Sequence, residues 1–233
     1  MPSEKSSIAN DPEETRQFLQ SAVHDLRATQ RRTGVAAELL LQASDDLERR
    51  ELTEQILHSV SKTEDLLTGI GKYANALTPA RYSITAFSSH SALRFAIANL
   101  DREIRETGAT LTIGDLPEIS GDRDRIAELF EQLVSNALKF KGADPPIVFI
   151  SARREPESWL FSVKDNGVGI PKKYRHRLFT AFRRLHGAEV AGAGLGLAIS
   201  RKIVEAHGGR IWIEDSDESG VTISFRLRAP DGD

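Results

Sequence analysis

Apolar residues recur at alternating steps of three and four over the first third of the chain. From Pro12 to about Ala43 the seam runs Leu19, Val23, Leu26, Ala37 and Leu40, crossed by polar Gln30 and Thr33. A period near 3.6 residues predicts a long amphipathic helix whose buried stripe includes Leu19, Val23 and Leu26. Ser44-Asp45-Asp46 interrupts the pattern, and Leu52, Ile56, Val60, Thr63, Leu67, Ile70, Ala74 and Leu77 then mark a second long helix. Thr78-Pro79 ends it, because the residue before a proline is pushed away from helical dihedrals. Residues 12–78 therefore read as a helical hairpin. Residues 1–11, rich in Ser, Asp, Glu and Pro with little to bury, read as a flexible tail.

Past a short linker at 79–83 the periodicity changes. Helical spacing is expected at Ser88 to Thr107, Arg123 to Lys141 and Leu195 to His207, the last stopped by Gly208-Gly209. Strand-like runs fall at Leu111 to Ile113, Ile147 to Ala152, Trp159 to Val163, Ile211 to Glu214 and Val221 to Leu227. Helices mixed with antiparallel strands over 84–233 suggest a two-layer α/β sandwich. Two helices joined by a short turn cannot enclose a core, and both stripes are wide enough to touch more than one neighbour. Pairing two hairpins into a four-helix bundle would bury them, which predicts a homodimer. The expected class is α+β: a helical hairpin forming a dimeric four-helix bundle, then the sandwich.

Composition narrows the function. Lys plus Arg number 31 against 34 acids, a net charge of −3, so there is no overall basic field and nucleic acid is disfavoured as a partner. The absence of cysteine excludes disulfides, thiol nucleophiles and thiolate metal sites. No apolar run approaches the roughly 20 residues that span a bilayer, and the polar start lacks a signal-peptide core, which points to a cytoplasmic chain without a membrane segment.

Candidate chemistry lies in three stretches, Asn136-Ala-Leu-Lys-Phe140, Asp165-Asn-Gly-Val-Gly169 and Gly192-Ala-Gly-Leu-Gly-Leu197, downstream of a His24-Asp25 pair. The amide oxygen of Asn136 could coordinate a Mg²⁺ that bridges a triphosphate, since magnesium borrows phosphate oxygens and keeps water. Lys139, one helical turn on, can offer charge to phosphate from the same side. Asp165 stands where a chain leaves an apolar strand, and Gly167 and Gly169 allow close backbone approach and dihedrals closed to other residues. Gly192, Gly194 and Gly196 lead into a helix whose free amides can face phosphates. Between the boxes, Tyr174 to Leu185 carries Phe179 and Phe182 at helical spacing, and Gly187 to Gly194 is rich in small residues, a candidate lid. His24 is the candidate nucleophile, and Asp25 can accept the hydrogen of its other ring nitrogen, fixing the tautomer.

In order and spacing these boxes resemble the catalytic core of two-component sensor histidine kinases, whose ATP-binding fold is shared with gyrase, Hsp90 and mismatch-repair proteins. The resemblance covers about residues 12–228 and leaves room for a bacteriophytochrome-like subgroup. It implies a Bergerat-type ATP-binding domain at 84–233, with ATP and Mg²⁺ as cofactors and the adenine amine donating to Asp165. Nucleotide would be held by Asn136, Lys139, Asp165, Gly167, Gly169, Gly192, Gly194, Leu195 and Gly196, with Asn136 on the metal. The resemblance further implies a homodimer that phosphorylates itself on His24 and passes the group to an aspartate of a response regulator receiver domain.

Departures from the family pattern are specific. Ala193 replaces a common Thr or Ser, which suggests weaker nucleotide affinity; Thr29 replaces a proline, which suggests a straighter first helix. Ala28 replaces a Thr or Asn that orients water, which argues against phosphatase activity. Gln132 stands where ATP-hydrolysing relatives have a glutamate base, and Glu128, a further turn away, is about 12 Å along the helix from Asn136, which argues against hydrolysis. The alternative is a non-enzymatic phosphotransfer hub with a degenerate ATP domain. No sensor segment is visible, so the chain is expected to be part of a longer sensor or to answer to a partner protein.

Overall fold

The computed structural model describes residues 12–77, 84–183, 192–215 and 220–230. The expected tail at 1–11, the linker at 79–83 and residues 187–191 of the expected lid lie outside them. Helix α1, Pro12–Gln42, and helix α2, Asp46–Leu77, form the hairpin. Asp45 caps α2, its carboxylate accepting from the Glu48 amide at 2.8 Å, while Glu48 reaches back to the Ser44 amide at 3.1 Å. Two of the amides stranded at the helix start are thereby satisfied, which explains the sharp reversal at Ser44-Asp45-Asp46.

The seam inside the hairpin is shifted from the one expected through Leu19 and Val23 on α1 and Val60 and Leu67 on α2. Buried positions are Phe18, Ala22, Thr29 and Ala36 on α1 and Leu52, Ser59, Leu66, Tyr73 and Ala76 on α2. Leu19 and Val23 are about half exposed, as are Val60 and Leu67. Small residues set the two backbones close, and Phe18 stacks on Tyr73 with ring centroids 4.3 Å apart. Buried Thr29 turns its hydroxyl onto the Leu26 carbonyl at 2.9 Å, so its polar atom is satisfied within its own helix.

The second unit begins with strand β1, Thr85–Ser88, then helices α3, Ser89–Asn99, and α4, Asp101–Thr107. The single helix expected at 88–107 is thus broken at Leu100, whose φ and ψ of −97° and 5° leave the helical region without a glycine or proline. Strands β2, Thr110–Ile113, and β3, Glu118–Gly121, precede helix α5, Arg123–Lys139. Strands β4, Ile147–Arg154, and β5, Ser158–Asp165, precede a short helix α6, Lys172–Arg175. Helix α7, Gly196–Ala206, and strands β6, Arg210–Ile213, and β7, Thr222–Arg228, complete it.

The five-stranded sheet has order β2-β4-β5-β7-β6, antiparallel except for the parallel β2–β4 pair, and β1 and β3 pair separately. Val148, Ile150, Phe161, Val163, Ile223 and Phe225 alternate onto one buried face. On that face lie α5 and α7, with Phe130 edge-on to Phe161 and Phe225 at 6.1 and 5.9 Å. One layer of helices over one sheet makes the α+β sandwich expected from the sequence. The open side of α7 carries α2, and this is where the hairpin meets the sandwich.

Candidate active site

Asp165 ends β5, and its Oδ1 accepts from the Gly167 amide at 2.8 Å and the Val221 amide at 3.1 Å. Those two bonds fix the carboxylate and leave Oδ2 for a ligand. Burial pushes the carboxyl above its usual range, and the two amide donors only partly offset that. Gly167 is required because a Cβ there would run into the Phe140 carbonyl oxygen, and Gly169 because its φ is 76°. The Asp165 to Ile170 loop is also held from outside. The Arg175 guanidinium donates to the carbonyls of Ile170 at 3.0 Å and Glu214 at 2.9 Å, a tie between positions far apart in sequence that no local pattern announces.

Asn136 lies on the last turns of α5, facing the start of α7. A Cβ on Gly196 would stand 2.9 Å from Gln132 Oε1 and 3.5 Å from the Asn136 amide nitrogen, so glycine lets the two helices meet where their polar side chains converge. The Phe182 amide donates to the Gly194 carbonyl at 3.0 Å, tying the phenylalanine pair to the glycine strip. Phe179 and Phe182 are not on a helix as their spacing suggested. They occupy turns after α6, where Phe182 takes a φ of 61° and both rings pack on the core.

These elements enclose a cavity of about 380 Å³. It brings together Asn136, Lys139, Asp165, Gly169, Gly192, Gly194, Leu195 and Gly196. Gly167 is absent from the wall, where it shapes the loop from behind. Glu128 is absent too, and Gln132 takes the position facing the glycine strip. His24 and Asp25 stand apart from the cavity on α1, the His24 side chain 81% exposed, with its Nδ1 2.9 Å from Asp25 Oδ1. That contact is the one expected from adjacent residues, and it leaves Nε2 facing outward. Sequence reasoning missed the far wall, which comes from the hairpin: Asp65, Thr68, Gly69 and Lys72 of α2.

No group of three or more His, Cys, Asp or Glu suited to a metal is found among the described residues. No helix among the described residues is long and apolar enough to cross a membrane.

Residues 121–231 match the family described as histidine kinase-, DNA gyrase B- and HSP90-like ATPases. The chain is 35% identical to cyanobacterial phytochrome A of Nostoc sp. over 96% of its own length and 30% of that protein. It is 37% identical to the sensor histidine kinase WalK of Bacillus subtilis, over 58% of this chain and 24% of WalK. The chain therefore spans less than a third of either relative. The solved histidine kinase ThkA, in complex with the response regulator TrrA, superposes with a TM-score of 0.74 at 23% identity, over 91% of this chain and 61% of that one.

Proposed function

We propose that the chain carries the catalytic core of a sensor histidine kinase and is an ATP-dependent protein-histidine kinase acting in the cytoplasm. Residues 12–78 are assigned to the phosphoacceptor hairpin and 84–233 to the ATP-binding domain. The observation that carries the reading is the single cavity joining Asp165, Asn136, Lys139 and the Gly192 to Gly196 strip. Asp165 Oδ2 accepts the exocyclic amine of adenine. A guanine, with a carbonyl there, would leave Asp165 Oδ2 unpaired, at a cost of about 1–3 kcal/mol. Asn136 offers its amide oxygen to Mg²⁺, which when bound neutralises phosphate charge, and Lys139 and the amides at the start of α7 hold the phosphates.

His24 supplies the nucleophile. Its Nδ1–H donates to Asp25, so the Nε2 lone pair is free to form the N–P bond as the bond from the γ-phosphorus to the bridging oxygen breaks and ADP leaves with that electron pair. Since His24 stands apart from the cavity, transfer requires the domain to move or nucleotide to come from a second subunit. The chain then passes the phosphoryl group to a receiver aspartate of a response regulator. Incubation with labelled Mg-ATP tests this: acid-labile label on the wild type, none on His24→Ala, and loss of both label and nucleotide binding in Asp165→Asn. Label that survives His24→Ala, or no nucleotide binding by the wild type, defeats the reading.

A further inference from the structure

Asp65, Thr68, Gly69 and Lys72 all face the cavity, and their spacing of i, i+3, i+4 and i+7 makes them one stripe of α2. The stripe is held close, because a Cβ on Gly69 would lie 2.8 Å from Leu195 Cδ1 and 3.5 Å from the Ala193 methyl, both at the glycine strip. One turn beyond Gly69, the Lys72 ammonium donates to Glu131 Oε1 at 2.9 Å. Glu131 is the residue before Gln132 and also accepts from the Asn99 amide at 2.8 Å. Burial would raise the Glu131 carboxyl, but the Asn99 and Lys72 bonds and the charges of Lys72 and Lys139 outweigh it and hold it low. Glu131 thus lines the cavity bonded to Lys72, on a stripe of α2 that Gly69 seats against the glycine strip.

An ammonium has three donors, and only one of those on Lys72 has an acceptor among the described residues. Its side chain is about a third exposed, on the cavity wall. Building on the nucleotide reading above, we propose that Lys72 contacts the polyphosphate of the bound nucleotide, so that the phosphate end of the site is shared between the hairpin and the ATP-binding domain. Asp65, Glu103 and Glu131 also line the cavity, and a polyphosphate entering it needs every available cation. Phosphate competes with Glu131 for Lys72, so occupancy of the site and the grip of α2 on the domain are linked.

Calorimetric titration of the full chain with a non-hydrolysable ATP analogue plus Mg²⁺, and separately with adenosine, tests the contact. Lys72→Met is expected to weaken the analogue on the order of tenfold, the usual scale of one charge-assisted hydrogen bond, and to leave adenosine unchanged. Lys72→Arg restores the analogue, and Glu131→Gln, which frees the ammonium, tightens it. The proposal is overturned if Lys72→Met alters neither ligand or weakens both alike, or if Glu131→Gln weakens the analogue as Lys72→Met does, since the bridge then serves packing alone. A wild-type chain that binds neither ligand removes the nucleotide reading itself, a result distinct from any of these.

Discussion

At the scale of single residues, His207 shows how one imidazole can hold two elements together. Its Nδ1–H donates to the Ile203 carbonyl at 2.7 Å, and Nε2 accepts the Asp122 amide at 3.0 Å, so the ring must be neutral. Burial pushes its pKa below the ordinary 6.5, reinforced by the Arg125 charge and opposed by the Ile203 bond and the Asp122 carboxylate. The unfolded chain therefore takes up the proton first as pH falls. The stabilisation is complete above about 6.5 and is lost as pH falls from there through the folded value. Asp165, whose pKa is raised, has the opposite sign, so the informative quantity is the difference between wild type and His207→Gln. Urea unfolding at pH 7 should show the variant less stable by about 1–3 kcal/mol, and that gap should narrow toward pH 5. A gap independent of pH would show that the imidazole does not titrate on folding. Nothing local in the sequence marks His207, because its partner Asp122 lies 85 positions away.

Among the elements, what was legible was what the backbone itself dictates. The glycine boxes, the Asp165 turn and the long helices follow from dihedral and period constraints that act over a few residues. Strands β1 and β3, four residues each, and the break at Leu100 escaped because they are set by packing across the chain. The hairpin seam was misread for an instructive reason: α1 and α2 each carry two apolar stripes, and on α1 the stripe of Leu19 and Val23 gives way inside the hairpin to Phe18, Ala22, Thr29 and Ala36. Leu19, Val23, Val60 and Leu67 remain exposed on the other stripe. Covering such side chains is worth about 1.5–3 kcal/mol each, and a second hairpin offers the matching surface. Light scattering at micromolar concentration should give a dimer for the wild type and a monomer of unchanged helical content for Leu19→Gln combined with Leu67→Gln. A wild-type monomer would leave the stripe without the partner the bundle requires.

For the whole molecule, the decisive relation is between hairpin and sandwich, and beside their shared apolar core it is pinned by an ionic clamp. The Glu14 carboxylate on the first turn of α1 receives Arg201 and, at 2.7 Å, Lys202 from α7, with the Tyr73 hydroxyl of α2 donating at 3.4 Å. Burial would raise that carboxyl, but the Lys202 bond and the two positive charges prevail and hold it low, so the clamp is ionised at neutral pH. Beside it Phe18 lies between Tyr73 and Phe182, at 4.3 and 5.3 Å. In this docked arrangement the cavity faces α2 while His24 looks into solvent on α1, so the arrangement that holds the nucleotide site closed is not one in which phosphorus reaches the imidazole. Transfer within a subunit must break the clamp, the alternative being nucleotide delivered by a second subunit. Glu14→Ala removes the anion that three groups converge on yet touches no residue of the cavity wall. It should therefore raise the initial rate of His24 labelling several-fold at saturating Mg-ATP while leaving the affinity for an ATP analogue within about twofold. Should the labelling rate instead fall with affinity intact, the clamp belongs to the transfer geometry, and the joint around Phe18 is the pivot on which the domain delivers its phosphate.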